Sequence, residues 1–85
     1  MIKINKAEIL EKHCYTELVY LRINKKLKTA FSKDEIEKFI RKVLEETTIE
    51  NYLKKGKNFY ISNFENNIRI TVNSNTFRII TVDRI

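Results

Sequence analysis

The side chains best placed to do chemistry sit in Lys54-Lys55-Gly56-Lys57-Asn58-Phe59-Tyr60, where the only glycine of the chain lies among lysines. A phosphate cradle needs several glycines, so that backbone amides converge, and a helix that follows. Here one glycine joins two runs of alternating polarity. A hairpin turn with Gly56 at positive φ accounts for it better than a nucleotide loop. The turn still offers Lys55 and Lys57 to an anion. Period-two alternation extends that surface, placing Asn58, Tyr60, Arg69, Thr71, Asn73 and Arg78 on the polar face of a sheet. Arginines beside a tyrosine on an open sheet face can hold phosphates and stack bases. The plainer account is a solvated face, since arginine and threonine are good exposed strand residues. A secondary basic patch comes from Arg22, Lys25 and Lys26, which share one side of a helix at i, i+3, i+4, with Lys28 following. Its plain account is again a solvated face.

Other reactive types are sparse. His13 is the only histidine, so a His-His catalytic pair or a multi-histidine metal site is excluded, and a structural role is expected. Cys14, the only cysteine, excludes an internal disulfide and a cysteine metal centre. It reads as a small core residue rather than a nucleophile. Glu17 is a candidate general base that spacing alone does not support. Asp83-Arg84 is either a functional pair or an exposed ion pair of little energy. No metal and no cofactor is expected.

These residues need elements to position them. Ser32-Lys33-Asp34-Glu35 is a capping box, and Ile36, Phe39, Ile40, Val43 and Leu44 follow on one helical face, which predicts a helix over about 33–47. Asn5, with Glu8 three residues on, starts an earlier helix. Thr16 can cap a second, running to about Lys28 with Leu18, Leu21 and Leu27 inward. One long or kinked helix is the alternative. After residue 50 the period changes to two. Asn51 to Lys54, Phe59 to Ser62, Ile68 to Asn73 and Phe77 to Val82 read as strands, with turns at Gly56, Asn63–Asn67 and Asn73–Asn75. Ile79-Ile80-Thr81-Val82 is apolar on both faces, as in a central strand or one covered by the chain's end or a partner. The fold class is α+β: two or three N-terminal helices (5–48) on one face of a three- to four-stranded antiparallel meander (51–84), in one domain of residues 1–85.

Composition fits that reading. In 85 residues, 42% are hydrophobic and 33% charged, with no proline. Apolar residues are too regular for disorder. The net charge is +6, in three blocks: seven basic and three acidic residues over 1–31 (net +4), four and six over 32–51 (net −2), six and two over 52–85 (net +4). A basic surface at both ends favours an anionic partner such as RNA or DNA. The N-terminal Met-Ile-Lys-Ile-Asn-Lys alternates and lacks the apolar run of a signal peptide, and nothing approaches a membrane span. A lone cysteine suits the reducing cytoplasm. The abundance of Lys, Ile and Asn suggests an AT-rich bacterial, phage or plasmid genome.

Several blocks resemble a family of small uncharacterised bacterial proteins, a domain of unknown function. Thr16-Glu17-Leu18, Arg22-Ile23 and Lys26-Leu27 are similar to its "TEL…RI…L". Lys55-Gly56-Lys57-Asn58-Phe59-Tyr60-Ile61 is similar to "KGKNWYV". Ile70-Thr71-Val72-Asn73 and Ile79-Ile80-Thr81 are similar to "ITVN" and "IIT". The resemblance spans about 14–83 and implies relatedness without a mechanism. It points to Thr16, Glu17, Arg22, Lys55, Lys57, Asn58, Thr71, Asn73 and Thr81 as positions of interest. It further implies a histidine shortly after "IIT", where this chain has Val82-Asp83, so a histidine acid–base role would be missing here.

Three functions are consistent with the sequence. The first is a cytoplasmic module that contacts RNA or DNA. The second is a protein-binding phage or plasmid factor acting on a host protein, with a dimer through the C-terminal strand also open. The third is a metal-independent ribonuclease, since helices before a basic antiparallel sheet are similar in outline to RelE- and barnase-like enzymes. There Arg69 and Arg78 would hold phosphate, aided by Lys57, and Glu17 or Tyr60 would move protons.

Overall fold

A computed structural model describes residues 4–85; residues 1–3, where the N-terminal alternation begins, lie outside them. Three helices precede four strands: α1 (Lys6–Lys12), α2 (Glu17–Leu27), α3 (Lys33–Glu46), a 3₁₀ turn (Ile49–Asn51), then β1 (Tyr52–Lys55), β2 (Asn58–Asn63), β3 (Ile68–Asn73) and β4 (Ile79–Arg84). The sheet is an antiparallel meander in the order β1-β2-β3-β4. The expected α+β class is therefore what forms. No helix among the described residues is long and apolar enough to cross a membrane.

The helix ends follow their capping chemistry. The Asn5 side chain accepts from the Glu8 amide and starts α1. Ser32 and Glu35 exchange hydrogen bonds in a complete capping box. The Ser32 amide, donating to the Glu35 carboxylate, holds that carboxyl below its ordinary range. Helix α2 is the exception: it starts after Thr16, whose side chain makes no capping hydrogen bond, and ends where Lys28 turns left-handed at φ 56.

One core joins the layers. Ile9 of α1, Val19, Ile23 and Leu27 of α2, and Ile36, Ile40, Val43 and Leu44 of α3 meet Tyr52, Phe59, Ile61, Ile68, Ile70, Val72, Ile79 and Val82 of the sheet. Helix α2 buries a different stripe from the one expected. Leu18 and Leu21 are exposed, and only Leu27 of the three faces inward. Val19, Ile23 and Leu27 recur at i, i+4, i+8, and Asn24 between them holds the α2–α3 loop by accepting from Thr29 and Phe31. Cys14 is also not a core residue. It is exposed, and its backbone bonds to Phe77 and Ile79 at the start of β4.

Strand boundaries differ slightly from the sequence pattern. Asn51 closes the 3₁₀ turn, so β1 begins one residue later than expected. Phe77 sits in a turn at φ 59 rather than in β4. A register shift opposite Thr71–Val72 places an extra residue in β4. That bulge, with α2 alongside, explains why Ile79–Val82 is apolar on both faces. The outward edge of β4 is occupied: Cys14 bridges to it, and the Arg22 guanidinium donates to the Ile80 carbonyl at 2.9 Å. The Arg84 guanidinium returns to the Leu27 carbonyl. A dimer through this strand would have to displace those bonds.

Candidate functional site

The first hairpin is a two-residue turn, with Lys55 paired to Asn58. Gly56 has φ +61 as the first central residue, and Lys57 keeps negative φ, the pattern of a type II′ turn. A Cβ at Gly56 would meet no atom within 4 Å, so backbone conformation alone demands glycine. Lys55 and Lys57 are exposed at this tip, while the Lys54 ammonium donates back to the Gly56 carbonyl.

The sheet face away from the helices assembles in cross-strand rows. Lys55, Asn58 and Asn73 form one row; Leu53, Tyr60, Thr71 and Thr81 the next; Ser62, Arg69 and Asp83 the third. The expected set of Asn58, Tyr60, Arg69, Thr71 and Asn73 is thus brought together. Arg78 lies just outside β4 and is exposed; its carbonyl accepts from the Asn73 amide, which puts it at the end of the first row.

Not all of these side chains are free to bind. The Asn73 side-chain oxygen accepts from the Asn75 and Thr76 amides and so builds the β3–β4 turn. Thr71 is buried between Tyr60 and the β4 bulge. The Arg69 Nε donates to the Ser62 hydroxyl at 3.1 Å, which fixes the stem and leaves the rest of its guanidinium to solvent. Asn58 makes only a long contact to the Tyr60 hydroxyl at 3.5 Å.

Two residues outside the expected set complete the surface. Leu53 and Phe64 are 60% and 64% exposed, and with Tyr60, Ser62, Lys55 and Arg69 they line an open groove of about 610 Å³. Phe64 belongs to the β2–β3 turn, where its signal was masked by asparagines. That turn is anchored from below. The Asn63 side chain donates to the Thr47 hydroxyl at 2.9 Å and accepts from the Asn66 amide at 2.8 Å. The Thr47 hydroxyl in turn donates to the Val43 carbonyl.

The secondary basic patch lies at the other margin. Lys26 pairs with Asp83 at 3.0 Å, so α2 borders the polar face along β4, while Lys55 and Lys57 border it along β1. The face is basic on both sides of its width. Lys25 points elsewhere along the helix and has no hydrogen-bond or ion-pair partner among the described residues.

The remaining reactive groups are structural. The His13 Nδ1 lies 3.0 and 2.9 Å from the Ile9 and Leu10 carbonyls, so it carries the proton and caps the end of α1. Glu17 is ion-paired with Lys33 at 2.7 Å on the helical side. Tyr15 and Tyr20 stack at 5.3 Å. Burial, followed by hydrogen bonding to Glu37, pushes the Tyr20 phenol up to about 12. Burial also raises Tyr15 and Tyr52 well above the ordinary tyrosine range. Such phenols hold their protons at neutral pH and are poor bases. Among the described residues no group of three or more His, Cys, Asp or Glu could hold a metal ion.

A family model described as a protein of unknown function, DUF3781, matches residues 7–83. The chain belongs to that family. No curated protein and no solved structure matches it. The match to DUF3781 runs from the second residue of α1 through α2 and α3 and the sheet up to Asp83, and so takes in both the groove and the α2 margin.

Proposed function

We propose that this protein is a cytoplasmic module that contacts single-stranded RNA or DNA across its open sheet face. The observation that carries the reading is the groove itself: Tyr60 and Phe64 offer rings, Leu53 an apolar floor, and Arg69 and Lys55 positive charge against the single acid of the lining, Glu50, with Lys57 exposed at the adjoining turn. Base–aromatic stacking tolerates any sequence and is worth about 1–3 kcal/mol per base. Tyr60 lies on β2 and Phe64 in the turn that follows it, so the two rings reach the same groove from adjoining segments. A flat, shallow face suits splayed bases rather than a duplex groove.

Fluorescence anisotropy with labelled single-stranded oligonucleotides tests this. Binding is expected at low salt and should weaken steeply as salt rises, with a log–log slope of about −0.7 per phosphate neutralised. Tyr60→Ala should cost about tenfold at all salts. Arg69→Ala and Lys57→Ala should each flatten the slope by somewhat less than one. No binding at low salt, or binding indifferent to Tyr60 and Arg69, would overturn the proposal. The ribonuclease alternative has less support, because Glu17, one of its two proton-transfer candidates, pairs with Lys33 and does not line the groove that holds Tyr60 and Arg69. RNA left intact after long incubation would count against it further.

A further inference from the structure

Helix α2 carries a second apolar feature that the core does not use. Val19, Ile23 and Leu27 are buried, yet Leu18 and Leu21 on the other side are 71% and 70% exposed, more than any other large hydrophobic among the described residues. They lie three residues apart, and at roughly 100° per residue Lys25 falls on the same face, seven residues from Leu18. A shallow depression of about 470 Å³ adjoins them, lined by Leu21, Arg22, Lys25 and Lys26. The only acid of α2, Glu17, is held by Lys33, and Asp83 is held by Lys26. The face therefore presents two leucines and the unpaired Lys25 ammonium with no competing free carboxylate from its own helix.

We infer that this face of α2 docks an acidic amphipathic helix of a partner protein. Spacing of i, i+3, i+7 is the pattern by which one helix packs along another. The partner would bring apolar side chains against Leu18 and Leu21 and a carboxylate towards Lys25, since Arg22 is held by the Ile80 carbonyl and Lys26 by Asp83. Charge complementarity sets the sign of the partner, and the leucines set its class. A phosphate backbone would use Lys25 but gain nothing from two aliphatic side chains, whereas a helical peptide uses both. The contact uses Leu18, Leu21 and Lys25, none of which lines the groove of the sheet face.

Amide chemical-shift titration of the full chain tests the inference, with a synthetic helical peptide carrying leucines and glutamates at i, i+3, i+7. Saturable shifts are expected at Leu18, Leu21 and Lys25. The double variant Leu18→Ser/Leu21→Ser, whose side chains are outside the core, should keep its melting temperature and weaken binding about tenfold or more. Lys25→Glu should weaken it several-fold, and a peptide with lysines in place of the glutamates should restore binding to that variant. Equal affinity of the double variant, or shifts confined to Lys55–Arg69, would overturn the inference. So would self-association that disappears in the double variant, which would make the occupant a second copy. Equal protection of Leu18 and Leu21 by anionic lipid vesicles, with no response to the peptide, would assign the face to a membrane surface instead.

Discussion

The turn that carries Phe64 should be the most sensitive polar position in the molecule. Asn63 is 4% exposed and makes three hydrogen bonds: to the Thr47 hydroxyl at 2.9 Å, from the Asn66 amide at 2.8 Å, and from the Asn66 side chain at 3.0 Å. Asn63→Ala removes all three. The Asn66 groups are at the surface and recover water, so their loss is small. The Thr47 oxygen is buried, and although it still donates to Val43, it loses its donor partner. Each net hydrogen bond is worth about 1 kcal/mol, and a buried group left unpaired costs about 1–3 kcal/mol. The expected loss is about 2–3 kcal/mol. An 85-residue domain has roughly 4–13 kcal/mol in all, so this is a large share. Urea denaturation reads it as a lowered midpoint at constant slope. Thr47→Val should cost a similar amount, because its methyl fills the space but leaves the buried Asn63 amide without an acceptor. The double variant should be less destabilised than the sum by about 1 kcal/mol. A loss under about 0.5 kcal/mol for Asn63→Ala, or strict additivity, would refute the idea that this buried pair anchors the turn.

Other substitutions and conditions test the remaining logic. Gly56→Ala should destabilise by about 1–2 kcal/mol from the left-handed backbone alone, and Gly56→Asn by less, measured by thermal melting. Ser32→Ala should cost about 1 kcal/mol by removing one half of the capping box, with loss of helical circular dichroism on heating at a lower temperature. Raised phenols favour the folded state while protonated. Tyr15, Tyr20 and Tyr52 therefore contribute stability in full below the ordinary tyrosine value of 10.0, and it is lost as pH rises towards and past about 12 for Tyr20. A urea midpoint that falls between about pH 10 and 12, with tyrosinate absorbance lagging behind that of the unfolded chain, is the expected result.

Most of the fold was legible because its signals are local. The capping box at Ser32–Glu35, the asparagine turns and the switch from helical to alternating period each depend on neighbours within a few residues. What failed depends on distant partners. In α2 two stripes of apolar residues compete, Leu18-Leu21 and Val19-Ile23-Leu27, and only the placement of β4 and α3 decides between them. Cys14 looked like core because small sulfur side chains usually are; its backbone instead serves as a one-residue edge to β4. The polar sheet face followed from alternation, but its aromatic wall did not. Phe64 sits in a turn, where period two says nothing about direction, and only the Asn63–Thr47 anchor brings it beside Tyr60 and Arg69.

The blocks through which the chain resembles its family divide into two kinds once their contacts are known. Thr16 precedes α2, Glu17 bonds Lys33, and Arg22 reaches across to the Ile80 carbonyl at the bulge. Asn73 closes its own turn, and Thr71 is buried. Arg22 ties α2 to β4, Glu17 ties α2 to α3, and Asn73 and Thr71 shape the last hairpin, so these positions of the "TEL…RI" and "ITVN" blocks have partners within the fold itself. The Lys55-Gly56-Lys57-Asn58 block is different. Only Gly56 has a conformational reason to be there, while the side chains of Lys55, Lys57 and Asn58 make no bond that the sheet needs; the Lys57 backbone carbonyl, which accepts from Ser74, is kept by any residue. Replacing Arg22 with Ala should therefore destabilise by about 1–2 kcal/mol, since it strips a charged donor from the bulge carbonyl. The double variant Lys55→Ser/Lys57→Ser should leave the melting temperature within a degree or two and reduce single-strand affinity at low salt. If instead the lysine variant melts early, or the Arg22 variant is as stable as wild type, the division fails and the exposed tip has a structural role that these contacts do not contain.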